Sequence, residues 1–348
     1  MAVAADPAAS PMLVSKMMAE YGHQARRTIQ DYLPGGRRAP FLDELITDYP
    51  SRGGKMMRAS ICIASAVAFG GAIEDALPCA AAIEILHNGL LVHDDIQDES
   101  ELRRGRPTLH RLHGVPLAIN AGDALMLLAL QPLFDSLRRA GVEVADQVLE
   151  VTRNMARETA QGQALELGWR DNGAEPLNES DYLNLALKKT AWLATIWPAQ
   201  VGLLIGSRGR ADAGSVVRFG FFLGAAFQIE DDLRNLATSD VYGKEINGDL
   251  YEAKRTLILI HARQTATARD RRRIDRFLAL RRADRTPAMV GWLAELFDRQ
   301  GSVGYARTVA AALAGAALHE FELVYGALPP SRDKAFIAGL PAWVLARP

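Results

Sequence analysis

Residues 76–101 read ALPCAAAIEILHNGLLVHDDIQDESE. An apolar run leads directly into Asp94, Asp95, Asp98, Glu99 and Glu101. A helix that is apolar nearly all round belongs inside a large bundle rather than on its surface. Like charges at i,i+4 repel by about 0.2–0.5 kcal/mol per pair. The acidic end of this segment therefore needs a partner outside its own helix.

Two further stretches, 59–73 and 214–229, are apolar all round in the same way. Strand-like alternation is hard to find, and the breaks fall at Gly and Pro. The pattern predicts helices near 11–32, 40–48, 54–69, 73–100, 116–139, 143–168, 179–206, 209–238, 250–265, 270–281, 286–299, 301–325 and 330–345. The fold class is therefore all-α, a helical bundle. Residues 1–10 read as a flexible tail and 11–348 as a single domain, because no loop has the length or Ser/Pro content of a linker.

The 348 residues are 49% apolar and 23% charged, ample material for a core. A net charge of −1 argues against a nucleic-acid partner. Cys62 and Cys79 lie in Ala-rich surroundings and read as buried thiols in a reducing compartment. With no secretory signal visible, a cytoplasmic protein is expected. The longest charge-free run, TAWLATIWPAQVGLLIGS at 190–207, carries Pro198 and Gln200 and reads as a buried helix, not a membrane span. The Arg-rich stretch 269–285 is interleaved with Asp270, Asp275 and Asp284, as on a solvated, salt-bridged face.

A second acidic cluster, FQIEDDLRNL at 227–236, repeats the layout of the first. Asp231, Asp232 and Asn235 take the i, i+1, i+4 places of Asp94, Asp95 and Asp98. Positions i and i+4 stack on one helix face, and i+1 is turned by about 100°. Two such oxygen pairs facing each other would suit a hard divalent cation, and Mg2+ takes one or two carboxylates plus waters and substrate phosphates. Basic residues accompany both clusters: Lys55 and Arg58, Arg103 and Arg104, Lys188 and Lys189, and Lys244, Lys254 and Arg255. Together they describe a site for more than one polyanion, one held through metal and another by Lys and Arg alone.

These residues resemble the trans-isoprenyl diphosphate synthases, or polyprenyl synthetases. The ordered blocks are GGKxxR (Gly53 to Arg58), HNxxLVHDDxxD (His87 to Asp98), RRGxPxxH (Arg103 to His110), AINAGDAL (118–125), GQxxE (Gly162 to Glu166), Lys189-Thr190, FQxxDD (Phe227 to Asp232) and GKExxGDxxExKxTL (Gly243 to Leu257). The resemblance implies an all-α isoprenoid synthase bundle around a deep apolar cavity, usually a homodimer and not an integral membrane protein. It implies condensation of isopentenyl diphosphate with an allylic prenyl diphosphate, and three Mg2+ per site. Asp94, Asp98 and Asp231 would hold metal, supported by Asp95, Asp232 and Asn235. Arg103, Lys189, Thr190, Gln228, Lys244 and Lys254 match allylic-diphosphate contacts. Lys55, Arg58, His87 and Arg104 match the metal-free pocket for isopentenyl diphosphate. Asp94, Asp98, Asp231, Lys189 and Lys244 would carry the chemistry.

Three departures stand out: Asn235 where many members carry Asp, Met56 where a basic residue is frequent, and Ala253 in place of Gly. By the same resemblance, product length is set one or two turns before the first cluster. Gly89 and Leu90 stand where short-chain members carry aromatics, so the tail can pass to a deeper floor, Ile85 or Leu86, or Phe134 or Trp192 from other helices. The expected product is the C20 geranylgeranyl diphosphate, with C15 or C25 and longer chains as alternatives. A class I terpene cyclase shares fold and ionisation, but it has no use for a second diphosphate pocket. A non-catalytic regulatory subunit would typically have lost aspartates that this chain keeps.

Overall fold

The computed structural model describes residues 10–35, 39–171, 176–236 and 247–347. The chain opens with α1 (Pro11–Tyr32), where the Ser10 side chain accepts from Leu13 N and Pro11 takes a first-turn position. There follow α2 (Asp43–Ser51), α3 (Met57–Ala68) and α4 (Ile73–Gln97). A two-residue-strand hairpin, β1 (Leu102–Arg103) and β2 (Arg106–Pro107), precedes α5 (Leu109–His113), α6 (Val115–Leu128), α7 (Leu130–Ala140) and the long α8 (Val142–Asp171). Then α9 (Glu179–Leu185) runs through a π-helical stretch, Ala186–Ile196, into α10 (Trp197–Ser207). The last part holds α11 (Val217–Asn235), α12 (Gly248–Tyr251), α13 (Leu257–Thr265), α14 (Ala268–Leu278), α15 (Pro287–Arg299), α16 (Ser302–Tyr325) and α17 (Arg332–Ala346).

The apolar segments fall at the centre, as their lack of a polar face requires. α4 packs against α1, α3, α6 and α7, while α11 packs against α16 and the π stretch. Two adjoining apolar clusters result, one around α3, α4 and α10, the other around α13 and α15. The charge-free run 190–207 lies across the π stretch and α10 and is mostly buried. Pro198 lies just past the point where the π stretch passes into α10, inside a continuous run of helix. Cys62 and Cys79 are buried and unpaired with each other. Among the described residues two helical segments, Ile73–Gln97 and Val115–Ala140, are long and apolar enough to cross a membrane; the first is mostly buried inside the bundle.

Several expectations needed adjustment. The Gly-Gly-Lys segment does not join α3: Gly53, Gly54 and Met56 have φ of 85°, 135° and 54°, so the helix begins at Met57. The helix expected over 116–139 is two, joined at Ala129. The one expected over 250–265 is broken between α12 and α13, and the break carries Lys254. In the Arg-rich stretch, Asp275 pairs with Arg263 of α13 at 2.8 Å and Arg281 with Asp284 at 2.9 Å, as a salt-bridged face should. Arg285 instead is buried and donates to the Phe277, Tyr251, Leu278 and Leu280 carbonyls.

Candidate active site

The bundle encloses a cavity of about 1490 Å³ whose polar mouth is lined by Asp94, Asp231, Lys189, Lys55, Arg58 and Arg104. Its body is apolar, with Leu86, Leu90 and Leu91 from α4, Met126 from α6 and Met155 from α8. Both acidic helix ends thus border one space.

At the first helix end, α4 stops at Gln97, and Asp98 closes it with its N–H donating to the Asp94 carbonyl. One carboxylate oxygen from each of Asp94, Asp98 and Glu166 lies within 4.8 Å of the others. Mg2+ with bonds of about 2.0–2.1 Å spans opposite oxygens roughly 4.2 Å apart, so a small rotation of one carboxylate suffices. Three hard oxygen donors at this spacing fit that ion. Each carboxylate is now met by a cation: Lys189 Nζ is 3.1 Å from Asp94 and also pairs with Glu166. Arg170 and Lys254 each lie 3.0 Å from Asp98.

Asp95 points elsewhere, as the 100° rotation dictates. Fully buried, it accepts from Tyr49 Oη at 2.6 Å and from the Arg103 fork, whose Nε contacts measure 3.0 and 3.1 Å. Asp95 is not a cavity residue. Arg103 reaches the cavity only with its outer edge, 3.7 Å from Asp94.

The second helix end follows the same logic. Asp231 borders the cavity and lies 3.7 Å from an Arg347 guanidinium nitrogen. Asp232 is buried and accepts from Tyr182 Oη at 2.8 Å and Gln228 Nε2 at 2.7 Å. Burial, then the neighbouring Asp249, pushes its carboxyl well above the usual range. Asn235 departs from expectation: its Oδ1 accepts from Asp249 N at 2.9 Å and its carbonyl from Asn247 N at 3.0 Å. It ties α11 to α12 and does not line the cavity. Lys244 lies outside the described residues.

The π stretch gives Lys189 its place. A π turn widens the helix and recurs at functional sites. Lys188 turns outward to Glu158 at 2.6 Å, while Lys189 turns in. Gly162 on α8 makes this possible, because a Cβ there would lie 2.3 Å from Lys189 N. Burial alone would lower the Lys189 ammonium, but Asp94 and Glu166 outweigh it and hold the pKa above the ordinary lysine value. Lys254 is held up likewise by Asp98, Glu252 and Asp249 against its burial. Burial pushes Glu252 up to about 7 despite Lys254. Thr190 Oγ1 donates to Gln228 Oε1 at 2.5 Å, and both line the cavity.

Across the mouth lies a cationic set. The hairpin turn at Arg104 and Gly105 has φ of 55° and 73°, both positive as a type I′ turn demands. Arg103 is thereby sent to Asp95, while Arg104 donates to the Tyr49 and Gly53 carbonyls. Arg52 secures the hairpin by donating to the Arg103, Arg106 and Pro107 carbonyls. Arg58 Nε and His87 Nδ1 are buried with no hydrogen-bond partner among the described residues. Leaving such a group unmet costs about 1–3 kcal/mol. Burial, then Arg58 and Arg104, holds the His87 imidazole well below its usual value and therefore neutral. Partial burial, then Arg347 and Arg234, lowers the Lys55 ammonium to about 8.

Of the chain-length positions, Leu86 and Leu90 line the cavity, and Gly89 and Ile85 do not. Gly89 is buried against α6, and Ile85 is fully buried in the core. Phe134 is 44% exposed on the surface, and Trp192 packs on the main core without lining the cavity. The sequence reading gave no role to Glu166, Asp249, Arg170, Arg52 or Tyr49. The first two stand in quoted blocks, and the others carry no local signal. Ala253 has φ 55°, the left-handed conformation a glycine there would adopt freely.

A charged mouth over an apolar shaft, in an all-helical bundle, defines a protein that works on amphiphiles with polyanionic heads. The family model of the polyprenyl synthetases matches residues 39–293, and the chain belongs to that family. It is a prenyltransferase of the chain-elongating kind. It is 34% identical over 259 residues to a short chain isoprenyl diphosphate synthase of Methanothermobacter thermautotrophicus, covering 74% of this chain and 77% of that one. To a geranylgeranyl diphosphate synthase of Sulfolobus acidocaldarius it is 36% identical, covering 67% and 69%. The crystal structure of a geranylgeranyl pyrophosphate synthetase from Pyrococcus horikoshii superimposes with a TM-score of 0.84 at 30% identity, covering 97% and 99%.

Proposed function

We propose that the protein joins isopentenyl diphosphate head to tail to an allylic prenyl diphosphate, with geranylgeranyl diphosphate as its main product. The observation that carries this is the pairing, around one cavity, of a carboxylate cluster with a separate cationic set that keeps unmet buried donors. A cyclase would have no second diphosphate to place there.

Three Mg2+, two at Asp94, Asp98 and Glu166 and one at Asp231, would supply neutralisation of the charge that develops on the departing diphosphate. Asp95 acts from behind through Tyr49, while Asp232, at the cavity edge, is held by Tyr182 and Gln228. Lys189, with its proton firmly held, donates to the allylic diphosphate together with Thr190, Gln228 and the edge of Arg103. Lys254, and Lys244 from outside the described residues, complete that set. Lys55, Arg58, Arg104 and the neutral His87 seat isopentenyl diphosphate without metal. As the allylic C–O bond breaks, these fixed charges stabilise the leaving group. The double bond of isopentenyl diphosphate attacks the allylic cation, a new C–C bond forms, and the proton lost passes to the departing diphosphate. The apolar wall excludes the water that would quench the cation.

Residues 11–348 act as one domain in this reading, since the cavity draws on both apolar clusters. Exposed Val115, Ile119, Leu127, Leu130 and Phe134 on α6 and α7 support a homodimer through that face; cytoplasmic residence is proposed with it. The test is incubation with Mg2+ and farnesyl diphosphate, with and without isopentenyl diphosphate, followed by chromatography of dephosphorylated products. A C20 alcohol that needs isopentenyl diphosphate supports the assignment, and a hydrocarbon formed without it refutes it.

A further inference from the structure

We infer that the arginine face of α14, with Trp292 and Met289 of α15 beside it, is a docking surface for an anionic lipid bilayer. The choice of a bilayer among polyanions rests on the prenyl-elongation reading above. Residues 269–285 hold eight arginines against three aspartates, in a chain whose net charge is −1. The excess is therefore local. Arg269, Arg272, Arg273 and Arg276 stand at i, i+3, i+4 and i+7, so they share one side of α14, and all four are exposed. Ile274, Phe277 and Leu278 are buried on the other side.

The aspartates leave this stripe unanswered. Asp275 is taken by Arg263 of α13, Asp284 by Arg281, and Asp270 accepts from the Thr267 hydroxyl. Among the described residues, none of the four arginines has a carboxylate partner. Arg271 differs, since it donates to the Arg263, Gln264 and Ala266 carbonyls and closes the end of α13. Like charges one helical turn apart repel, so the stripe is relieved only by an anion from outside the chain.

Two observations favour a bilayer. The Arg273 guanidinium lies 3.9 Å from the centre of the half-buried Trp292 ring, and Met289, one turn earlier on α15, is exposed. A tryptophan and an apolar side chain among cations suit the boundary between headgroups and acyl chains. The proposed product, moreover, carries a long apolar tail that resists transfer into water. The far end of the stretch reaches the cavity rim as well. Arg285 donates to the Tyr251 carbonyl, and Arg282 lies 3.7 Å from Glu252, which pairs at 2.8 Å with the cavity residue Lys254. α14 packs on α13, so the α6–α7 face given to the homodimer leaves it uncovered.

The experiment is co-sedimentation of the full chain with vesicles of phosphatidylcholine alone, or of phosphatidylcholine and phosphatidylglycerol in equal parts. The wild type is expected to sediment with the anionic vesicles only, and to come off as added salt shortens the screening length. An arginine at an anionic surface contributes about fivefold in partitioning, so the triple variant Arg269→Gln, Arg272→Gln, Arg276→Gln should bind about 10²-fold more weakly. The same three positions changed to Lys should retain binding. Circular dichroism should show all three proteins equally helical, since Gln and Lys are both good helix formers. A wild type that ignores anionic vesicles, or a folded Gln variant that binds them as tightly, would overturn the inference. So would a short duplex DNA that displaces the wild type from the vesicles, which would make the surface a nucleic-acid site. Sedimentation reads no product, so a wild type that binds vesicles yet elongates nothing refutes the elongation reading and leaves the docking surface standing.

Discussion

Replacing Gly162 with Ala adds one methyl group to the face of α8 that touches the π stretch. That Cβ would meet Lys189 N at 2.3 Å, Lys189 Cα at 2.6 Å and Lys188 C at 2.7 Å, all backbone atoms that no rotamer can move. Reaching the 3.4 Å of ordinary contact from 2.3 Å requires the two segments to part by about 1.1 Å. Overpacking of this kind costs about 1–3 kcal/mol of stability. There is a functional cost as well, because the displaced backbone carries Lys189, whose Nζ now lies 3.1 Å from Asp94. A misplacement of about 1 Å costs on the order of 10²-fold in rate. Steady-state kinetics should therefore show kcat reduced roughly 10²-fold with the KM for isopentenyl diphosphate little changed, because that pocket lies across the mouth. Circular dichroism would confirm a folded helical protein with a lowered melting point. A Gly162→Ala protein with wild-type kcat would refute the claim that close approach of α8 places Lys189.

Asp94→Ala should lower kcat by about 10²–10³-fold, the usual cost of removing one group aimed at developing charge; turnover near wild type would sink the role given to this carboxylate. Tyr49→Phe leaves buried Asp95 short of a donor, so urea unfolding should show a loss of about 1–3 kcal/mol with the Mg2+ requirement unchanged. Lys55 has a depressed pKa, so its charge is present below about 8 and lost above it. The value of kcat/KM for isopentenyl diphosphate reports the free enzyme and should therefore fall as pH rises through about 8. Lys55→Arg should remove that limb, and an identical alkaline profile in the variant would show that another group is titrating.

How far the sequence could be read follows from which contacts are local. The all-round apolar segments could only be central helices, and the structure puts 76–97 in the middle of the bundle. Asp94 and Asp98 are one turn apart, so their shared face was legible from helical geometry. The same rule failed at Asn235 because α11 ends there, and the last side chain of a helix is free to serve the next element. It serves the Asp249 amide at the start of α12, a contact across residues that no periodicity connects. The π stretch was equally invisible: its sequence, ALKKTAWLATI, has ordinary helix formers, and what marks it in the structure is the close approach that Gly162, Gly220 and Gly224 allow to α8 and α11.

The two aspartate pairs show most plainly what local reasoning gives and withholds. Rotation by about 100° turns the second member of each pair toward the interior: Asp95 leaves the cavity altogether, while Asp232 keeps an edge on it. In a central helix that direction is the protein interior, where a carboxylate must be given donors. Both times the donor is a tyrosine, Tyr49 for Asp95 and Tyr182 for Asp232, 46 and 50 residues away in the chain. The need for a partner is thus deducible from sequence, whereas its identity depends on how α2 and α9 dock. A similar asymmetry governs the shaft. Gly89 is conspicuous in the sequence because it lacks a side chain, yet it does not border the cavity, and that absence instead lets α6 approach α4.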